Sequence, residues 1–271
     1  MGIRNPNSTN YEHSDEPNLY DLHKAMGYNS AGQPQLRTNN FLLDVSRGAV
    51  PGHSIVFMSG RNRTVPITSP VSIWETGGLY PWSAWNAGAG TLTVVSNNAA
   101  DTAVTVLLSG LDSNYAPLTE VVTVNGTTTV TTTNSFLRLN SAVNIGSKSV
   151  TGTVSIARNG TVVAQIIDGA NNTKMSIYTV PAGYTAFSVY GDFAVGKNES
   201  AELNAHWRFY GGVFLDIYAV QLFQCAFVAT PPYPGAIPEK TDIDNRVQYA
   251  TANNSTVYSN QQLLLVDNTY L

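Results

Sequence analysis

Between Thr91 and Ile167 the chain breaks into short runs of β-branched and aliphatic residues: Thr91 to Val95, Ala103 to Leu108, Thr119 to Val124, Thr127 to Thr133, Val150 to Ile156 and Thr161 to Ile167. Runs of this length and composition, punctuated by turn residues, are strands of an antiparallel sheet. Asn125-Gly126 and Asn159-Gly160 each separate two such runs. Asn-Gly supplies the two positive-φ residues of a type I′ turn, so each pair is expected to close a β-hairpin. The rest of the chain is expected to be built around this antiparallel sheet.

Outside that stretch the reading is also β. Ser54 to Met58, Val71 to Trp74, Ser176 to Val180, Thr185 to Val189 and Gln262 to Val266 are further strand candidates. From Ala201 to Phe209, apolar residues alternate with polar ones, which predicts a strand with one face on a core and the other wet. Gly211-Gly212 turns the chain, and Val213 to Val228 is apolar almost throughout, the pattern expected of a strand covered on both faces. Cys225, the single cysteine, falls in that run and reads as a buried, unreactive thiol, with no intrachain disulfide available. Thr230 to Pro238 is too rich in proline for a central strand. Late strands returning to sheets already formed suit a Greek-key architecture, so the fold class expected is all-β, an antiparallel β-sandwich of jelly-roll type. The loop Asp168 to Thr173 suggests two β modules, residues 41–172 and 173–271.

Residues 1–40 read as an extended N-terminal arm without a core of its own, rich in Asn, Ser, Pro and Gly. Leu19, Leu22 and Met26 fall at helical spacing after Asp15 and Pro17, which predicts one short helix there and makes those three side chains candidate arm contacts to a neighbouring subunit.

Only 12% of the residues are charged, against about 25% in an ordinary soluble domain. A polar but weakly charged surface suits a subunit packed among copies of itself. The net charge of −4 leaves no basic stripe for a phosphate backbone, so no direct nucleic-acid partner is expected. No apolar stretch approaches the ~20 residues of a membrane-spanning helix, and the N-terminus has no apolar signal core. Synthesis in a cytoplasm, without membrane association, is the expectation.

The sequence carries no catalytic constellation. The histidines at 13, 23, 53 and 206 have no metal-ligand spacing. Asp242, Asp244 and Asn245 match the start of a calcium loop, but Val247 stands where glycine is needed and Asn253 where the distal glutamate belongs. There is no phosphate-binding loop, nucleophile elbow or paired-carboxylate arrangement, so no catalytic residue, cofactor or metal is expected and the chain reads as a non-enzyme. Arg61-Asn-Arg63 reads as a solvated basic turn. The one conspicuous cluster is aromatic: Trp74, Tyr80, Trp82 and Trp85, with glycines at 77, 78, 88 and 90. It is either a core or interface plug or a glycan-stacking platform. The glycines imply tight turns, which favours the plug.

Val50-Pro-Gly-His-Ser54, Ile73-Trp-Glu-Thr-Gly-Gly78, Leu79-Tyr-Pro-Trp82, Val95-Ser96 with Ala100-Asp-Thr102, Ser109-Gly-Leu-Asp112 with Tyr115, and Val124-Asn-Gly-Thr127 resemble, in this order, a family of tailed-bacteriophage virion structural proteins. Val180-Pro-Ala-Gly183 and Glu239-Lys-Thr-Asp-Ile243 extend the resemblance more loosely. It implies a β-rich, non-enzymatic component of the particle, in contact with copies of itself and with capsid, neck or tail subunits, and a virion location. It brings no catalytic residues with it. A carbohydrate-binding host-attachment module, using an exposed Trp cluster, is the alternative expectation.

Overall fold

The computed structural model describes residues 26–28, 34–36, 40–68, 70–231 and 234–271. The elements are β1 (Met26–Tyr28), β2 (Pro34–Leu36), α1 (Phe41–Ser46), β3 (His53–Val65), β4 (Val71–Ser72), β5 (Thr93–Ser96), β6 (Thr102–Leu111), β7 (Pro117–Asn125), β8 (Val130–Thr131), β9 (Arg138–Asn144), β10 (Val154–Arg158) and β11 (Thr161–Ile166). They continue with β12 (Ile177–Thr179), β13 (Tyr184–Val195), β14 (Ser200–Arg208), β15 (Phe214–Phe223), β16 (Ala226–Ala229), β17 (Ala236–Ile237), β18 (Asp242–Ala250) and β19 (Ser255–Asp267).

The described residues form two compact units, one of those up to Ile55 with Tyr270, the other of those from Val56 to Thr269 with Leu271. In the first, β1 and β2 pair antiparallel, with Met26 opposite Leu36. Met26 therefore opens a strand and does not end a helix, because its chain neighbours find backbone partners in β2; Leu19 and Leu22 lie outside the described residues. The six-residue helix α1 follows, capped by Asn40, whose side chain accepts from the Leu43 N–H at 3.2 Å. The sequence reading has no helix at this position.

The larger unit is all-β and antiparallel. Its sheets are β11-β10-β5-β8, β12-β18-β14-β15 with β4 on β18, β16-β13-β19-β3 with β17 on β13, and β7-β6-β9. These four sheets have a propeller-like arrangement and do not form a clear jelly-roll sandwich, a correction to the finer part of the expected fold. The long-range returns are present: β18 and β19, the last strands of the chain, pair in the interiors of the two five-stranded sheets.

One core cluster runs from Trp74 to Ile177 and packs the inward residues of β5, β6, β7, β9, β10 and β11, Val94, Leu108, Leu139 and Ile156 among them. Two others lie between the five-stranded sheets, one around Phe193, Leu203 and Val247, the other around Tyr178, Ile243 and Leu263.

The hairpins divide. Asn159 and Gly160 both have positive φ, +50° and +79°, and Arg158 pairs with Thr161 across them, as a type I′ turn requires. Gly211, at φ +74°, lies in the loop joining β14 to β15, whose pairing closes at Arg208 and Phe214. Asn125-Gly126 closes no two-stranded ladder. Only Gly126 has positive φ, its N–H donates to the Asp101 carbonyl, and β8 pairs with β5 while β7 pairs with β6. The turn hands the chain from one sheet to another.

Arg61-Asn-Arg63 is not a solvated turn. It lies within β3, where Asn62 is fully buried and its amide donates to the Ser72 carbonyl at 3.0 Å. Arg61 and Arg63 both pair with Glu75, at 2.8 and 3.1 Å.

Candidate functional site

The aromatic cluster is built into the core. Trp74, Tyr80, Trp82 and Trp85 are each less than one-tenth exposed. The short 3₁₀ turn Trp82–Trp85 places two of the indoles inward, and Tyr80 sits edge-to-face between Trp74 and Trp82 at 5.1 and 4.8 Å. Each indole N–H has a partner: Trp74 donates to the Gly78 carbonyl, Trp85 to the Tyr80 hydroxyl, and Trp82 to Asp244 Oδ2 at 3.0 Å. Burial pushes the Tyr80 phenol far above its ordinary range, so it stays neutral. Stacking on a sugar needs an open ring face, and these four rings present none in this structure.

Beneath Trp82 lies an ionic network that connects two sheets, β7-β6-β9 and β12-β18-β14-β15. Asp242 of β18 accepts from Arg138 Nε at 2.9 Å and Nη2 at 3.2 Å, from Arg208 Nε at 3.0 Å and Nη2 at 2.6 Å, and from the Thr179 hydroxyl at 2.6 Å. Strand alternation puts Asp244 on the same face, where it takes Arg246 Nε at 2.8 Å as well as the Trp82 indole. The guanidinium of Arg208 lies 5.1 Å from the Trp82 ring centre and 4.7 Å from that of Phe214, and Arg246 lies 4.7 Å from Phe214 on its own account. Burial pulls the Arg138 pKa down, but the contact with Asp242 outweighs this and leaves it above its ordinary value, so the guanidinium is held charged. This arrangement neutralises two buried carboxylates with cations stacked on aromatic rings. It holds the two sheets together through Asp242, whose two oxygens are both engaged, while Asp244 Oδ1 is buried without a hydrogen-bond partner.

The network also explains a departure from the period-two reading of β14. Ala201, Leu203 and Ala205 are buried as expected, but Asn204 and His206 on the opposite face are buried too, because that face lies toward Asp216, Asp244 and Arg246. Burial, then the nearby Arg246 charge, lower the His206 pKa, so the imidazole is neutral at physiological pH.

What the molecule leaves open is β15. It ends its sheet, pairing with β14 and with no other strand among the described residues. The run expected to be covered on both faces is instead exposed: Val213 by 72%, Leu215 by 43%, Ile217 by 41%, Tyr218 by 43% and Phe223 by 65%. Cys225, expected to be buried, is exposed as well. From Phe209 to Ala229 the one charged residue is Asp216. Proteins ordinarily blunt a free edge with lysine or proline, and β15 has neither. A cavity of about 550 Å³ adjoins it, lined by Phe193, Trp207, Ile217, Tyr218 and Leu263 between the two five-stranded sheets.

No family model matches the chain, and comparison with curated proteins finds no match. Among solved structures, the infectious bursal disease virus VP2 subviral particle aligns over 81% of this chain and 73% of its own at 10% identity, with a TM-score of 0.23. The infectious bursal disease virus Gt strain structure gives 82% and 75% at 10% identity and 0.22. The PBSX exported protein XepA gives 88% and 94% at 10% identity and 0.19. Scores this low do not establish a shared fold, and the functional reading rests on the residues. Among the described residues no helix is long and apolar enough to cross a membrane.

Proposed function

We propose that this chain is a non-enzymatic structural subunit of a virus particle, which works by packing against copies of itself and against other subunits of the capsid, neck or tail. The observation that carries the reading is the free edge strand β15, which has one charged residue, Asp216, and neither lysine nor proline. It is a row of backbone donors and acceptors flanked by exposed Leu215, Ile217, Tyr218 and Phe223, a surface suited to permanent contact. Weak charge overall and the phage-virion resemblance of residues 45–140 support the same assignment. The buried Trp74, Tyr80, Trp82 and Trp85 leave the glycan-binding alternative without a platform.

Cryo-electron microscopy of purified particles tests the proposal. Ordered copies bound through broad β faces to shell, neck or tail subunits are the expected outcome. A chain that is absent from the particles and stays monomeric at high concentration sinks it.

A further inference from the structure

We infer that β15 pairs antiparallel with β15 of a second copy, about a two-fold axis passing through Ala219, so that the two sheets fuse edge to edge. The inference rests on the self-packing reading above and specifies its surface, register and symmetry.

The strand reads Phe214-Leu-Asp-Ile-Tyr-Ala-Val-Gln-Leu-Phe223, nearly the same in both directions: Phe and Leu at each end, Asp216 answered by Gln221. In a regular strand this would not help. A two-fold perpendicular to a sheet keeps every side chain on its own face, so matched residues must share a face, and residues an odd number apart, such as Leu215 and Leu222, do not.

The bulge in β15 removes the obstacle. His206 pairs with Asp216 and the next residue, Ala205, pairs with Tyr218, which leaves Ile217 as the extra residue. Leu215 and Leu222 then stand opposite Trp207 and Ala201, on one face of β14, while Phe214, Asp216, Ala219, Gln221 and Phe223 stand opposite Arg208, His206, Asn204, Glu202 and Ser200, on the other. Counted in this register, the two-fold brings Phe214 against Phe223 of the second copy, Leu215 against Leu222, Asp216 against Gln221, Tyr218 against Val220, and Ala219 against itself. The single charge on the strand meets an amide that can donate to it, and nowhere do like charges face each other. An isologous contact demands this self-complementarity.

The area is adequate. The exposed parts of Leu215, Ile217, Tyr218 and Phe223 sum to roughly 400 Å², taking ~150–250 Å² for each whole aromatic side chain. Backbone burial along the strand brings this toward the ~800 Å² per partner of a standard interface.

The experiment uses the full chain with Ala219→Lys and Ala219→Glu, both at an exposed position. Opposite residues in an antiparallel pair lie ~4.5–5.5 Å apart, so each variant alone sets like charges face to face, and a mixture sets opposite charges face to face. Sedimentation is expected to show dimer for the wild type, at least tenfold weaker association for each variant alone, and recovery on mixing the two, with circular dichroism unchanged throughout. Variants that dimerise like the wild type, or that stay monomeric when mixed, overturn the Ala219 two-fold and leave the self-packing reading in place. A wild type that is monomeric at every concentration overturns both.

Discussion

At the scale of single residues, the fold depends on a few buried carboxylates whose partners come from far along the chain. Asp242 is held by Arg138 and Arg208 together, and removing its charge leaves two guanidiniums buried against Trp82 and Phe214 without a counterion. Asp242→Asn is therefore expected to destabilise the protein by about 3–5 kcal/mol in urea unfolding, the range for breaking a buried pair by removing one partner; a loss under about 1 kcal/mol would mean the network is ornamental. Asp101 offers a different test. Burial pushes its carboxyl up, but hydrogen bonds from the Ser96 hydroxyl at 2.6 Å, from the Thr151 hydroxyl and N–H at 2.6 and 2.8 Å, and from the Gly152 N–H at 3.0 Å outweigh it and leave the group below its ordinary value of 3.8. A carboxyl with a lowered folded pKa stabilises the protein fully above its unfolded pKa, and that contribution is lost as pH falls from 3.8 through the folded value. Asp101→Asn should lower the melting temperature at pH 7, and the gap from wild type should narrow as the pH drops through that window. A gap independent of pH would show that the hydrogen bonds do not favour the ionised form.

At the scale of elements, the two Asn-Gly pairs show how far local sequence reaches. Both are turns, but only Asn159-Gly160 closes a hairpin, since its flanking strands pair with each other. Gly160 has φ +79° and open space around its Cα, so Gly160→Ala meets no clash and isolates the backbone term. It should cost about 1–2 kcal/mol, the penalty for an L residue in the left-handed region, measured as a shift in the denaturation midpoint; a neutral outcome would mean the turn relaxes to another type. Asn125-Gly126 has the same local signal, but the partner that decides its role, Asp101, is not adjacent in sequence. The strands from Thr91 to Ile167 were legible because period and turn residues act locally. The ionic network was not, because Arg138, Thr179, Arg208 and Asp242 come together only once the sheets have formed. The run from Val213 to Val228 misled for another physical reason. A strand covered within its own chain and an edge awaiting another chain share one composition, and sequence cannot say whose atoms will cover it.

At the scale of the whole molecule, the charge distribution predicts how association responds to solvent. The net charge of −4 comes from 14 basic and 18 acidic residues, yet the proposed contact carries Asp216 alone, already engaged by the Asn204 amide. Charges away from the contact are screened beyond ~10 Å at about 0.1 M salt, so they contribute little across an interface of this kind. What remains is apolar burial and a backbone ladder. Apolar burial weakens on cooling and is strengthened by sulfate. Self-association measured by sedimentation should therefore change less than about twofold between about 0.05 and 0.5 M sodium chloride, whereas sulfate tightens it and cooling from about 25 to 5 °C loosens it. Contacts built on ion pairs would respond in the opposite sense to salt, dissolving at about 0.5 M sodium chloride. Dissociation at high salt would place the association elsewhere on the molecule, on acidic and basic surface groups, and would remove β15 from its centre.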